Sequence, residues 1–269
     1  TLEALPADHF FKTLVKNAQP GKWKERLAYE SKKIGRILAT GVDELVGIVK
    51  ADDSGGRMSV HYPELGMDDF LKGIASGTRH KITGHRLLEL DISGAHPAAA
   101  WAALLAKHGD AARVLCPSLS LFVADRKKAV ARVKREYATP KSDAEAKVLI
   151  LRSLNQSSGD EAHRHRKPFL KALVEERRLM EEALLEFAPL APCVAAIIEK
   201  ARGGKPTTLL SLLMQAVENA VITESAQSLE LHGWRLVAPI SDAVLLLPTS
   251  TPCAPGACEA ARRLMENVA

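Results

Sequence analysis

The clearest pattern of apolar positions lies near the end of the chain. In residues 207–231, apolar side chains recur at positions 210, 213, 214, 217 and 221, close to the 3.6-residue period of a helix. A long helix is therefore predicted, ending at Gly233. Two short extended runs follow, Trp234–Ile240 and Ala243–Pro248, separated by two residues of which the second is Asp242. This order predicts a strand, a tight turn and a second strand.

Another strand is predicted near the end of the first third of the chain. Residues 86–92 alternate in part between apolar and polar side chains, which predicts a strand that stops at Gly94. Pro97 stands where a helix would begin, and a helix is predicted over residues 98–108. Asp91 is thus predicted at the C-terminal end of a strand, directly before a turn and a helix.

Helical patterns fill most of the remaining chain. Residues 1–44 are polar and predicted helical, residues 45–50 and 57–61 predict a hairpin, and residues 66–76 predict a short helix. From residue 125 to about 201 the pattern is helical throughout.

The N-cap of one central helix, which runs through Lys147, is predicted at Ser142 or Asp143. A last helix is predicted over residues 257–268. The predicted fold class is α+β, with strands at both ends of the chain and a mainly helical insertion between them. If the ends meet, Asp91 and Asp242 belong to the same antiparallel sheet.

Composition narrows the class of protein. Of 269 residues, 46% are hydrophobic and 26% are charged, with a net charge of +5, which is the balance of a soluble globular protein. No apolar run reaches the roughly 18 to 20 residues that cross a bilayer, so no membrane partner is expected. The first residues show no signal peptide, and four scattered cysteines favour an intracellular, reducing compartment.

Asp91 and Asp242 are the candidates for chemistry, because each is a single carboxylate in an apolar stretch. A buried charge is costly unless it is paired or binds a metal ion. Two carboxylates on neighbouring strands, helped by the backbone carbonyl of Ile92, could hold two Mg²⁺ ions roughly 3.5–4 Å apart, the arrangement that assists phosphoryl transfer. The alternative is that each aspartate only shapes a turn.

At these residues the sequence resembles polymerases of family A, in particular the compact versions carried by large viruses and mobile elements. The segment from Leu90 to Pro97, LDISGAHP, resembles the first palm motif, a strand that ends in Asp before a turn and a helix. Residues 142–155, with Lys147, resemble the fingers helix, and residues 211–243 resemble the long helix and Asp-bearing hairpin of the third motif.

The resemblance implies a template-directed nucleotidyltransferase that uses Mg²⁺ or Mn²⁺ bound by Asp91, Ile92 and Asp242. Lys147 would face the triphosphate, and Arg79 and Arg135 would hold phosphates of the substrate or template. The implied partners are a nucleic-acid template–primer and nucleoside triphosphates, within a larger complex if the chain is a fragment.

The implied segments are an N-terminal helical part and start of a hairpin (1–56), a first palm part (57–124), a helical fingers-like region (125–206) and a second palm part (207–269). The palm would be the antiparallel sheet, and the fingers the helical insertion.

Two departures from the family pattern keep other functions open. The third motif reads Ser-Asp-Ala around Asp242, where the family usually has His-Asp-Glu, and Leu151 and Asn155 stand where aromatic residues usually stack on a base. A catalytically inactive protein that binds nucleic acid or a protein partner is one alternative, and a purely structural subunit is another. Two basic stretches, residues 125–135 and 162–167, either follow a nucleic-acid backbone or are solvated helix surfaces.

Overall fold

A computed structural model gives the fold of the chain. It describes residues 29, 32, 48–50, 59–62, 67–68, 88–92, 94–137, 142–155, 167–202, 208–240, 243–249 and 256–268. Helices predominate among these residues, and short antiparallel sheets complete an α+β fold. The predicted class is therefore confirmed at this level. Arg79 and Asp242 lie outside the described residues.

The described strands form two three-stranded antiparallel sheets. The first has the order β1–β2–β3, with the strands Ile48–Lys50, Ser59–Tyr62 and Met67–Asp68. The second has the order β4–β6–β5, with the strands Leu88–Asp91 (β4), Trp234–Ile240 (β5) and Ala243–Pro248 (β6).

The nine α-helices in the described parts of the chain are numbered α1 to α9 in order. Their bounds are Ala95–His108 (α1), Ala112–Leu115 (α2), Pro117–Ala124 (α3), Arg126–Glu136 (α4), Asp143–Asn155 (α5), Pro168–Leu185 (α6), Val194–Arg202 (α7), Leu209–Leu231 (α8) and Ala257–Val268 (α9). Short 3₁₀ turns lie at Gly109–Ala111 and Ala188–Leu190. Within the described residues, no helix has the length and apolar character that a membrane span requires.

The chain divides into two compact units. The first comprises Thr1–Ala51, Met58–Ile92 and Val221–Ala269, and the second comprises Asp52–Arg57 and Ser93–Ala220. This division does not test the boundaries of the palm and fingers segments, which stay a prediction.

The core of the first unit lies against the β4–β6–β5 sheet. Leu90 of β4 and Val244 and Leu246 of β6 form one cluster with residues of α8 and α9. Leu88 packs against the same cluster, so the even-numbered residues of β4 face the core, as the two-residue period of a strand requires. The burial of these aliphatic side chains fixes the register of the sheet.

The turn between α8 and β5 depends on Gly233. Its φ of 82° lies in the left-handed region, which glycine adopts without the steric cost that a side chain brings. The Gly233 carbonyl accepts hydrogen bonds of 2.9 Å from both the backbone N–H and the hydroxyl of Thr249, just after β6. The helix stop is thereby tied to the far end of the hairpin.

The second unit is built from helices with aliphatic interiors. Its largest fully buried side chains include Leu104 of α1, Leu119 of α3, Ile150 of α5 and Phe169 and Leu173 of α6. Few aromatic residues are present in the chain, 4% of the total, so alanines such as those on the buried side of α1 allow the helices to approach closely.

Most predicted elements of the described chain are confirmed. The hairpin expected near residue 50 is the antiparallel pair β1–β2, and the last helix has the bounds predicted for it. The helix predicted over residues 66–76 is wrong at Met67 and Asp68, which form β3 and pair with β2. Pairing with an adjacent strand edge overrode a weak local helical pattern there.

Candidate active site

Asp91 is the last residue of β4, the strand that pairs directly with β6. Because side chains alternate along a strand, Asp91 lies on the opposite face from Leu90, which is buried in the core. The Asp91 side chain is exposed. The sequence-based expectation of an apolar environment for this carboxylate is therefore corrected, since the apolar neighbours in the sequence point to the other face.

The register of the sheet brings the second candidate segment to the same place. Asp91 pairs with Ala243 in the antiparallel ladder between β4 and β6, and Ala243 directly follows Asp242 in the chain. Ile240 of β5 also pairs with Ala243, so two residues join the strands, as predicted. The distance between the two carboxylates stays a prediction, because Asp242 lies outside the described residues.

Oxygen donors of the kind Mg²⁺ prefers lie at this strand end. Asp91 offers an exposed carboxylate, and Ile92, half-buried directly after β4, offers a backbone carbonyl. Such hard oxygen ligands suit Mg²⁺, which retains several waters and needs few protein groups. The chemistry of these two residues therefore fits the ion. Among the described residues, no cluster of three or more His, Cys, Asp or Glu side chains could hold a metal ion by itself.

Lys147 lies in the second turn of α5, whose start is fixed by a reciprocal cap. The Ser142 hydroxyl accepts a hydrogen bond of 3.2 Å from the Glu145 backbone N–H, and the Glu145 carboxylate accepts one of 3.3 Å from the Ser142 backbone N–H. This is a capping box, and it identifies Ser142 as the N-cap of the two residues proposed. Lys147 itself is half-buried.

Asp143, one turn before Lys147, is held by a cation from the neighbouring helix. Lys134 of α4 donates a hydrogen bond of 2.9 Å to the Asp143 carboxylate. This bond and the charge of Lys134, with a smaller contribution from Lys147, lower the pKa of Asp143. Arg135, the next residue after Lys134, is exposed on α4.

Sequence reasoning missed a contact between a histidine and a buried carboxylate in the second unit. His96 lies in the first turn of α1, and its Nε2 is 3.1 Å from the Glu218 carboxylate of α8. The Glu218 side chain is only 2% exposed. The sequence did carry a signal for the burial of Glu218. Glu218 follows Met214 by four residues in α8 and therefore lies on the same apolar face of the helix as Met214.

A second buried carboxylate, Glu176 of α6, caps another helix. Its two oxygens accept hydrogen bonds of 2.8 Å from the backbone N–H groups of Ser118 and Leu119, in the first turn of α3. Burial raises the pKa of Glu176, although these bonds act in the opposite direction. Cys116 lies just before α3, and burial together with the charge of Glu176 raises the pKa of its thiol to about 12. Both are structural features of the helix packing.

Comparison with known proteins gives a structural similarity but no relative at the level of sequence. No protein-family model matches the sequence. No curated protein matches it either. Among solved structures, the chain is similar to the POL domain of Pol1 from M. smegmatis, described as a complex with DNA primer-template and dNTP, with a TM-score of 0.53 and 14% sequence identity. The fold is polymerase-like.

The extent of this likeness is unequal in the two proteins. The match covers 99% of this chain and 53% of the POL-domain chain, so the chain spans about half the length of that structure. Both compact units contribute to the match because almost every residue is included. At 14% identity the likeness concerns the fold alone.

Proposed function

We propose that the chain is a template-directed nucleotidyltransferase of the DNA polymerase kind. The observation that carries this proposal is the pairing of Asp91 with Ala243, the residue after Asp242, in a chain whose fold is similar to a polymerase domain. The resemblance of the three sequence motifs to family A supports the same function. The β4–β6–β5 sheet would be the palm, and the helices between residues 125 and 206 would be the fingers.

In this proposal Asp91, Asp242 and the Ile92 carbonyl would hold divalent cations. Mg²⁺ or Mn²⁺, when bound, would stabilise the attacking and leaving oxygens of the displacement. The 3′ hydroxyl of a primer would attack the α-phosphate of a nucleoside triphosphate, the bond from the α-phosphate to the bridging oxygen would break, and pyrophosphate would leave.

Cationic side chains would balance the charge of the phosphates. The Lys147 ammonium would contact the triphosphate and offset the negative charge that grows on the leaving pyrophosphate. Arg79 and Arg135 would hold phosphates of the substrate or the template through bidentate hydrogen bonds. The exposure of Arg135 on α4 suits a contact with a large ligand.

A binding protein without catalysis is the second candidate, and two positions on α5 favour it. Leu151 and Asn155 replace the aromatic residues expected there, and the Asn155 backbone carbonyl accepts a hydrogen bond of 3.2 Å from the Thr208 hydroxyl. With neither side chain offering an aromatic ring, base stacking on this helix would be lost, and with it part of the affinity for nucleotide.

Primer extension tests the proposal and separates the two candidates. The wild-type chain should lengthen a labelled primer on a DNA template with Mg²⁺ or Mn²⁺, whereas Asp91→Ala and Asp242→Ala should each lose at least about 10²-fold in rate, the scale of removing one preorganised charge-stabilising group. Asp110→Ala is a matched control, since Asp110 is an exposed aspartate in the 3₁₀ turn after α1.

The outcomes are distinct. Extension by wild type and by Asp110→Ala alone supports the polymerase function. Binding of the template–primer by all four proteins, with no extension by any, supports the inactive alternative. Neither binding nor extension would leave only a structural role.

A further inference from the structure

The helix α4 carries an unusual concentration of positive charge. Six of its eleven residues are Lys or Arg and one is Glu, so this short segment alone has a charge excess equal to the +5 of the whole chain. We define the α4 basic face as the exposed cations of this helix, which are Lys127, Lys128, Lys134 and Arg135.

Helical geometry places the members of this face together. The spacings of one, seven and eight residues from Lys127 correspond to neighbouring directions on a helix with 3.6 residues per turn. Ala131, also exposed, lies between them and adds no bulk. Ala129, Val130 and Val133 form the opposite, buried face. The cations therefore form one surface and do not encircle the helix.

Almost nothing acidic on the described chain neutralises this surface. Lys134 pairs with Asp143 at 2.9 Å, but Lys127, Lys128 and Arg135 form no ion pair with any described residue. Glu136, the one acid of the helix, turns inward: it binds Arg132 at 2.8 Å and accepts a hydrogen bond of 3.0 Å from the Phe169 backbone.

Helix stability does not account for the position of these charges. Cations near the C-terminus of a helix are favourable, as for Lys134 and Arg135, but cations in the first turn oppose the helix macrodipole. Lys127 and Lys128 lie in that first turn. The Asp125 carboxylate caps the Lys128 backbone N–H at 2.9 Å, and the first turn itself contains no acidic residue.

The spacing of the face suits a polyanion. Two helical turns separate Lys127 and Lys128 from Lys134 and Arg135, which is about 10 Å along the axis. That distance is about one Debye length at 0.1 M salt, so the fields of the two pairs overlap and act together on a charged strand.

We propose that the α4 basic face binds the sugar–phosphate backbone of a nucleic-acid strand. The identity of the partner rests on the proposed function, which requires a template–primer. The lysines would contact phosphates as point charges and Arg135 through its guanidinium, and the face would be indifferent to base sequence. It extends the predicted role of Arg135 from a single phosphate contact to a continuous track along one helix.

Salt-dependent DNA binding by charge-neutralised variants tests this proposal. The triple variant Lys127→Gln, Lys128→Gln, Arg135→Gln removes the three cations that lack a described acidic partner. A matched control, Lys171→Gln, Arg178→Gln, Arg202→Gln, removes the same charge from exposed cations that each pair with a glutamate of their own helix. Fluorescence anisotropy with a labelled primer–template DNA reports the affinity at several salt concentrations.

The α4 variant is expected to bind at least about tenfold more weakly at 0.1 M salt, and the slope of log affinity against log salt should become shallower by roughly 2 to 3. The control should change affinity by no more than about twofold, because its cations already have neighbouring carboxylates. A charge-conserving variant, Lys127→Arg, Lys128→Arg, which leaves Arg135 in place, should bind like wild type. Circular dichroism should show unchanged helix content in all three.

Three results would overturn the inference: equal losses in the two neutralised variants, no loss in the α4 variant, or no DNA binding by wild type. Primer extension by the same preparations keeps the two proposals apart. Extension with unaltered binding by the α4 variant contradicts the basic face alone, whereas α4-dependent binding without extension contradicts the catalytic proposal alone.

Discussion

Single buried charges join helices of the second unit at their ends. Glu176 projects from α6 and receives the backbone N–H groups of Ser118 and Leu119, which lie in the first turn of α3 and have no partner within that helix. A carboxylate from one helix thus replaces a local N-cap on another. Its burial raises its pKa, because desolvation disfavours the charged form more than the two hydrogen bonds favour it.

The raised pKa of Glu176 predicts a pH-dependent stability. The unfolded chain releases this proton near the ordinary value of 4.5, and the folded chain releases it at higher pH. The contribution of Glu176 is therefore fully present below the unfolded pKa and is lost as pH rises through the folded pKa.

Glu176→Gln removes this ionisation and also weakens the cap of α3 by about 1–3 kcal/mol. The advantage of wild type over the variant, measured by urea unfolding, should shrink as pH rises above 4.5. A Glu176→Gln difference that grows with pH would contradict this account.

At the level of elements, the contact between His96 and Glu218 ties the first turn of α1 to α8. Along the chain, α1 starts four residues after Asp91, and α8 leads into the strand that precedes Asp242. The contact thus joins two helices that neighbour the candidate segments in the sequence.

Removing one partner of this pair should be costly. In His96→Ala the Glu218 carboxylate remains, 2% exposed and without the imidazole beside it, which should lower the free energy of unfolding by about 1–3 kcal/mol. Adding Glu218→Gln to that variant should recover a part of the loss, since a neutral amide is cheaper to bury. Equilibrium urea unfolding of the single and double variants measures both effects. A loss below about 1 kcal/mol in His96→Ala would show that the pair is not important for stability.

The elements next to the site could be predicted from the sequence, and the buried contacts could not. The strand at Asp91, the helix α8 and the hairpin after Gly233 each carry a local signal in periodicity or turn residues, and each is confirmed. The helix prediction was wrong at Met67 and Asp68, because a strand of two residues is too short to show an alternating pattern. The contact between His96 and Glu218 was missed because local sequence patterns do not show which helices lie next to each other in the fold.

At the scale of the whole molecule, the charge distribution and the fold both support the proposed function. The net charge of +5 is modest, but charge is distributed unevenly, and α4 places four exposed cations on one surface. The fold is similar to a polymerase domain over 99% of this chain. A strand register that sets Asp91 against the residue after Asp242 supplies the remaining support for a nucleotidyltransferase. The shared sheet was predictable from the strand order, whereas the exposure of Asp91 was not, because it depends on which face of β4 meets the core.

The most direct test is the position of manganese in crystals of the chain with a primer–template, a nucleoside triphosphate and Mn²⁺. Anomalous diffraction locates Mn²⁺ without ambiguity among lighter atoms. The account predicts manganese within about 2.0–2.3 Å of carboxylate oxygens of both Asp91 and Asp242, near the distance that Mg²⁺ would take. Manganese bound only to the nucleotide, or aspartate carboxylates too far apart to share a metal pair, would contradict it.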